Sequence, residues 1–475
     1  MIRRLGRPLA HGAWTADWFA GQVDLVSLFG PPTSLAAARE RAERLNAPAD
    51  WTRAIRGNDQ DPVPSNAVIV LAGQQPVLGG GPLLVAHKAA TAIALARALE
   101  PELGRPVIPV FLLATQDHDS TEVDHIDFID TSKNRMSRTR CELRPSHEMF
   151  HRASWDPAGF EAFKEHFKTI RNAFKVRLDP DRAPEHVARL IESTLGTQGL
   201  RIVEAHNLET AGRPLLERAI RDPALLANQL REGAAALAHA SLRSSFDPED
   251  PRPLVLESAG GRRRRLDPED PNALERLARQ PEDFSPHAAL RPIVQAAALP
   301  VVAQVCGPSE ILYLAQARGL HDVFEVTAPL LVPRLEATRV RATDHEQDVI
   351  DVITGARRTL LESAANDAIE AAERFATAVE GEDPGLRRRL DRFLGKTRRD
   401  VDRLAQAPIW RGGGSEALMR FRPRGRLQDT VLAWLPDALE APSPQAWSSQ
   451  LVELCQPLQP PEHVLYSYPT TAGNS

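Results

Sequence analysis

Continuous apolar runs alternate with helix-period segments along most of this chain, and the alternation predicts an α/β fold. Ala67–Ala72 (AVIVLA) is a β-branched, uninterrupted apolar run, the pattern of a strand buried on both faces of a parallel sheet. A glycine-rich turn, Gly73–Pro82, follows it. Leu83–Leu99 then reads as an alanine-rich helix, and Val107–Ala114 (VIPVFLLA) as the next strand. Strand, helix and strand make a βαβ unit, whose crossover is right-handed in a parallel sheet. Leu200–Glu204, Leu254–Glu257 and Val301–Val305 are further short strands, with helices predicted over Ser34–Leu45, Glu209–Arg221, Pro223–Ser241 and Ser309–Gln316. Pro329–Leu335 is extended, and its two prolines confine it to an edge or a loop.

The pattern changes near Asp344. Asp344–Val379 and Leu386–Pro408 are long helical stretches separated by the turn Gly381–Pro384. In the second, Leu386, Leu390, Phe393, Thr397, Val401 and Leu404 recur at spacings of three or four, a coiled-coil-like seam that predicts a helical hairpin whose apolar stripe either packs on the core or, the favoured reading, dimerises. Gln428–Leu435 reads as a helix and His463–Tyr468 as a final strand. The predicted organisation is a core over 1–343 with inserted connecting segments, a helical arm over 344–410, and a C-terminal segment over 411–475 that returns to the core.

Composition narrows the function classes. A length of 475 residues exceeds one simple core, and 42% apolar with 25% charged residues is ordinary for a globular protein. A net charge of -5 argues against a dedicated nucleic-acid binder. Cys141, Cys306 and Cys455 lie far apart with no CxxC pair, which fits a reducing compartment and offers no zinc ribbon. No run approaches the roughly 18 apolar residues of a membrane span, so the cytoplasm is the expected location.

The candidate chemistry gathers at strand ends. Gly73–Pro82 lies between a buried strand and a helix N-terminus, where an open parallel sheet places a ligand crevice and where backbone N–H groups favour an anion. Its glycines, Gly73, Gly79, Gly80 and Gly81, make neither GxGxxG nor a Walker loop, so a tight structural turn is an equal reading. His87 and Lys88, one turn into the helix, are candidates to face a phosphate; the competing reading is a core-edge histidine and a solvated lysine. Gln116–His125 (QDHDSTEVDH) is the densest polar cluster, with Asp117, His118 and Asp119 suited to binding an amine or hydroxyl or to acid–base work. Asp side chains capping a loop are the alternative. Glu122, Asp124 and His125 add potential metal ligands, but no ligand spacing supports a metal and none is predicted. Cys306 reads as buried and inert. Ser309 and Glu310 in the following GPSE turn are placed to touch a ligand, and Arg262–Arg265 is a basic run in a polar loop that is either solvated or an aid to holding phosphate.

Several segments together resemble one family, the cysteine-adding enzyme of bacillithiol synthesis (BshC). They are AGQQPVLGGGPLLVAHKA at Ala72–Ala89, VIPVFLLATQDHDSTEVDHI at Val107–Ile126, FSPHAALRPIVQ at Phe284–Gln295, CGPSEILYLAQ at Cys306–Gln316, VPR at Val332–Arg334 and RPRGRLQD at Arg422–Asp429. They stand in the family's order across most of the chain. The resemblance implies a Rossmann-like parallel-sheet core related to class I nucleotidyltransferases, with inserted segments and a coiled-coil arm for homodimerisation. It implies a ligase that joins cysteine to glucosaminyl-malate through an amide, with ATP or ADP as nucleotide and Mg²⁺ as a possible companion, and with neither nucleic acid nor membrane as partner. In that reading cysteine is activated as an adenylate. Gln74, Gln75, Gly80 and Gly81 line the crevice with Ser309 and Glu310, while His87 and Lys88 stabilise phosphate charge. Asp117 and Asp119 bind an ammonium, His118 moves a proton, and Arg334 clamps the malate carboxylate. The chain departs from the family's usual TGQQ, EDHD and GPGE at Ala72, Gln116 and Ser309. Loss of the acid at position 116 leaves room for a related ligase with another acceptor, or for a non-catalytic nucleotide-binding scaffold.

Overall fold

The computed structural model describes residues 2–467 except 47, 58, 131–134, 169–172, 175–181, 248, 251, 342–343, 355–369, 371–373, 375–394, 397–419 and 424–425. Its centre is an all-parallel sheet of β1 (Val68–Gln74), β2 (Val107–Leu113), β3 (Arg201–Glu204), β4 (Val301–Cys306) and β5 (Leu330–Pro333), in spatial order β5-β4-β1-β2-β3. This is a doubly wound, Rossmann-like order: the chain builds outward from β1 through β2 and β3, then returns to the other side of β1 for β4 and β5. The apolar runs are continuous because both faces are covered; Val68, Ile69, Val70 and Leu71 are all buried. Pro333 closes β5 at the sheet edge, where its missing N–H costs no ladder bond.

The crossover from β1 to β2 is helix α1 (Leu83–Leu103). Its buried face is largely alanine (Ala86, Ala89, Ala90 and Ala96), so the helix axis sits close to the sheet and leaves no room for long side chains beneath it. It ends on Gly104 in the left-handed conformation. The entry to α1 differs from the expectation. Gly79, Gly80 and Gly81 are buried beneath the C-terminal segment rather than open to solvent. Gly80 has φ +86°, and a Cβ there would run into the Trp434 indole. The Leu83 N–H donates to the Leu432 carbonyl at 2.9 Å, Trp434 N–H to Gly81 O at 3.2 Å, and Gly79 N–H to His186 Nε2 at 3.2 Å. The donors that would cradle an anion at this helix start are therefore taken by the chain itself.

Of the smaller sheets, two are three-stranded. Val255–Ala259, Arg262–Arg265 and Phe284–Pro286 form an antiparallel sheet, so the basic run expected in a loop is a strand whose alternation turns Arg263 inward and Arg262 and Arg264 outward. Ile2–Arg4, His463–Tyr466 and Glu336–Arg339 form the other, which ties the C-terminal segment to the core. The helix expected over Gln428–Leu435 is broken: one turn, Gln428–Val431, is followed by extended Leu432 and Ala433 and then a second helix, Trp434–Glu440. The break delivers Trp434 to Gly80 and stacks it on Trp447 with ring centroids 5.3 Å apart. Glu346–Thr354 is helical, while the rest of the predicted arm, and with it the dimerisation seam, lies almost wholly outside the described residues. Among the described residues no helix is long and apolar enough to cross a membrane.

Candidate active site

The strand order reverses between β1 and β4, and the crevice at their carboxyl ends is where an open α/β sheet binds its ligand. Gly73 and Gln74 close β1. Gly307 follows β4 and starts helix α2 (Pro308–Gln316). Lys88 reaches back from α1 into this gap. Its ammonium donates to Gly73 O at 3.0 Å and Gln74 Oε1 at 2.9 Å, and lies 2.5 Å from Glu310 Oε2. The same Glu310 oxygen accepts the Gly307 N–H at 2.7 Å, a capping arrangement that fixes the carboxylate. A charge as buried as Lys88, 2% exposed, needs such pairing.

A second charged group lies at the end of β2. Asp117 Oδ1 accepts the His118 N–H at 2.8 Å and lies 3.5 Å from Arg263 Nη1; its Oδ2 takes Arg291 Nη2 at 3.1 Å and Gln75 Nε2 at 3.4 Å. Gln75 also donates to Glu122 at 2.7 Å, so it joins the end of β1 to this cluster. Burial alone would raise the Asp117 carboxyl, but Arg291, His118 and Arg263 outweigh it and hold it far below the usual carboxylate range. Arg263 is buried and pushed down to about 10 by that burial and by Arg291, with Asp117 opposing. It donates to Ser285 Oγ at 2.7 Å, to Pro286 O at 3.1 Å and to His118 Nδ1 at 3.0 Å. A guanidinium donor at this distance occupies the Nδ1 lone pair, and a singly protonated His118 ring then has its hydrogen on Nε2. Tyr313 on α2 stands within electrostatic reach of both clusters. Its phenol is held well above the usual range by burial first, then by Glu310, and so stays neutral.

Of the residues expected here, Gln74, Gln75, Lys88, Glu310, Asp117 and His118 come together along one crevice, and Ser309 is exposed at its lip. Four expectations need correction. Gly80 and Gly81 lie under Trp434, as described. Asp119 caps a turn: its Oδ1 accepts Thr121 N–H at 3.1 Å and Thr121 Oγ1–H at 2.6 Å, which commits it locally. His87 is fully buried, with Nδ1 3.4 Å from Asp429 Oδ2, and burial keeps it neutral, so it cannot meet a phosphate. Arg334 is 2% exposed and bound to Asp429 Oδ2 at 2.6 Å and Leu335 O at 2.7 Å, which removes it as a carboxylate clamp. Among the described residues no three His, Cys, Asp or Glu side chains are placed to hold a metal ion. Cys306 is buried, its thiol raised well above its usual value by that burial. Sequence reasoning missed Arg291 and Tyr313 and left Arg263 unresolved. The available signal for Arg263 was the Gly260-Gly261 pair between two runs of strand length, which marks a hairpin with alternating faces.

Gln116 turns away from Asp117 and donates to Glu209 Oε1 at 3.4 Å beside a narrow cleft lined by Leu216, Leu277 and Val294. Burial raises the Glu209 carboxyl to about 7, against the smaller lowering effect of Gln116. Because the folded value lies above the unfolded one, the folded state binds the extra proton and stability falls as pH rises from about 4.5 towards 7. Glu209→Gln is expected to flatten the thermal midpoint across that window. An unchanged slope would show that Glu209 is not the group responsible.

Residues 63–335 match the family model described as Bacillithiol biosynthesis BshC, N-terminal Rossmann-like domain. The match contains both charged clusters of the crevice. The chain is 30% identical over 306 residues to a Heliobacterium modesticaldum protein named "Putative cysteine ligase BshC", covering 58% of this chain and 55% of that protein. Proteins of the same name from Staphylococcus epidermidis and Geobacillus kaustophilus are 26% and 28% identical, with 60% and 66% of this chain and 58% and 64% of theirs aligned. The chain thus spans less than two thirds of the length of these curated relatives. Together with the Rossmann-like order of the central sheet, the match over more than half of the chain establishes that this protein belongs to the BshC family of bacillithiol biosynthesis.

Proposed function

We propose that this chain is a cysteine ligase that forms an amide between the carboxyl group of L-cysteine and the amine of glucosaminyl-malate, with a nucleoside triphosphate as co-substrate. The observation that carries the reading is the charge pairing of the crevice. Lys88 is matched by Glu310, but Arg263 and Arg291 share the single carboxylate Asp117. Glu122, held by Gln75, evens the net count but among the described residues pairs with neither guanidinium, so Arg291 keeps donors for an anionic ligand such as the malate part of the acceptor or a phosphate. The Arg291 side chain, 20% exposed against 3% for Arg263, is the one a ligand meets first.

Amide formation removes a carboxylate oxygen from cysteine and a proton from the attacking amine. The nucleotide supplies the chemistry that turns that oxygen into a leaving group; Lys88, whose donors are taken by Gly73 O, Gln74 and Glu310, holds the end of β1 against α2 beside it. Arg291 orients the acceptor through its carboxylates. His118 takes up the amine proton once an anion draws Arg263 from its Nδ1, because only then is that lone pair free.

The test is incubation of the purified chain with L-cysteine, glucosaminyl-malate and ATP, with mass spectrometry of thiol-trapped products. Wild type is expected to yield bacillithiol, and Arg291→Ala to raise KM for glucosaminyl-malate by roughly 10–100-fold through loss of a charge-assisted contact worth about 1.5–3 kcal/mol. Absence of product with ATP and with every other nucleoside triphosphate would overturn the assignment.

A further inference from the structure

At the opposite end of the sheet from the crevice, the helix Leu35–Glu43, the short helix Gly319–Val323 and the loop leading into β5 line an open cleft of about 360 Å³. Arg41, Arg44, Arg318 and His321 line it, with Asp322 and Glu325 at its rim. Arg44 is matched by Glu40 at 2.8 Å. Arg41 and Arg318 are different. Both are half-buried, and among the described residues neither has a carboxylate within ion-pair distance, although Glu40 and Asp322 are near enough to be felt.

The two guanidinium groups are not there by default. Arg318 Nη1 donates to Phe29 O at 3.4 Å, and it reaches that carbonyl only because residue 30 is glycine: φ is +84°, and a Cβ would lie 2.9 Å from Nη1. Burial lowers both groups, and Arg41 is lowered next by Arg318 itself, the sign of two like charges held together without an anion. His321 adds an independent observation. It is 7% exposed, its buried Nδ1 has no hydrogen-bond partner, and burial followed by Arg318 and Arg41 brings it down to about 4, so a neutral ring backs the two guanidinium groups. Two half-buried cations without a carboxylate partner are costly beside each other, and a bound oxyanion would satisfy both.

We propose that this cleft binds the phosphate group of a small phosphorylated molecule, held between Arg41 and Arg318. A phosphate dianion matches two guanidinium charges, whereas a monocarboxylate leaves one unmatched. The acidic rim of Asp322 and Glu325 disfavours an extended polyanion such as nucleic acid. The site stands apart from the crevice and does not depend on the ligase reading.

The experiment is calorimetric titration of the full chain with inorganic phosphate at fixed ionic strength, with sodium acetate as the monoanion control. Arg291→Ala is expected to keep a phosphate-binding isotherm from this cleft, which Arg41→Gln and Arg318→Gln weaken by roughly tenfold or more each. Ligase turnover of Arg41→Gln is expected to match wild type. Should Arg318→Gln fail to fold, Arg41→Gln carries the test. No phosphate binding by wild type, equal binding of acetate, or binding lost in Arg291→Ala but kept in Arg41→Gln would each overturn the assignment.

Discussion

Replacing Glu336 by alanine is expected to destabilise the folded chain by about 3–5 kcal/mol, the range for removing one partner of a buried charge network. Glu336 is 1% exposed and collects the start of the chain: its carboxylate accepts the N–H groups of Leu9 at 2.7 Å, Ala10 at 2.9 Å and His11 at 2.6 Å, together with His11 Nδ1. His463 Nδ1 lies 3.5 Å away on the neighbouring strand. Alanine would leave three backbone donors and two imidazoles without their acceptor in a dry interior. Burial opposes ionisation of Glu336, yet the hydrogen bonds from His11 and His463 outweigh it and hold the carboxyl well below its usual value. A depressed folded value means that the contribution is complete above the unfolded value near 4.5 and is lost as pH falls through the folded one. Urea unfolding at pH 7 and in steps below 4.5 should therefore show an acid slope in wild type that is smaller in Glu336→Ala. A loss under about 1 kcal/mol at pH 7 would mean that water replaces the carboxylate and that the network is not what fastens residues 2–11.

The parts of this fold that were legible in the sequence are those whose burial is two-sided. AVIVLA and VIPVFLLA admit few readings because no polar residue interrupts them, and an alanine-rich stretch between them fits close helix–sheet packing. The order β5-β4-β1-β2-β3 was not legible, since an apolar run says that a strand is central and not which strand it pairs with. The same limit governed the site. Lys88 was suspected from its place beside a strand end, but its counter-charge, Glu310, comes from a segment far along the chain and meets it only at the switch point. His87, adjacent in sequence, points the other way because neighbouring helical positions lie about 100° apart, and so it enters the core. Asp117 and Asp119 look equivalent in QDHD; backbone geometry gives one to two arginines and the other to Thr121. Gly80 looked like part of a phosphate loop, and only the broken helix at Leu432–Ala433 shows it to be the seat of Trp434.

Asp117→Asn is expected to lower turnover of the proposed ligation by about 100-fold or more, and to do so through the two arginines rather than through contact with the attacking amine. The carboxylate is the only negative charge in direct contact with Arg263 and Arg291 among the described residues. Asparagine keeps the shape but not the charge, so a buried guanidinium and its half-buried neighbour then repel each other across the crevice. The expected stability loss is about 2–4 kcal/mol at pH 7. It should shrink in acid, because the Asp117 contribution, present above the unfolded value near 3.8, is lost in wild type as pH falls towards the depressed folded value. The double variant Asp117→Asn, Arg291→Ala separates charge sharing from simple loss of a side chain. Removing Arg291 leaves Arg263 with no partner to repel, so stability should recover by about 1 kcal/mol or more relative to Asp117→Asn alone, while turnover stays low because the anion-binding guanidinium is gone. Additive stability losses in that cycle would show that the two arginines do not share Asp117 electrostatically, and the argument that Arg291 keeps donors for a ligand would go with them.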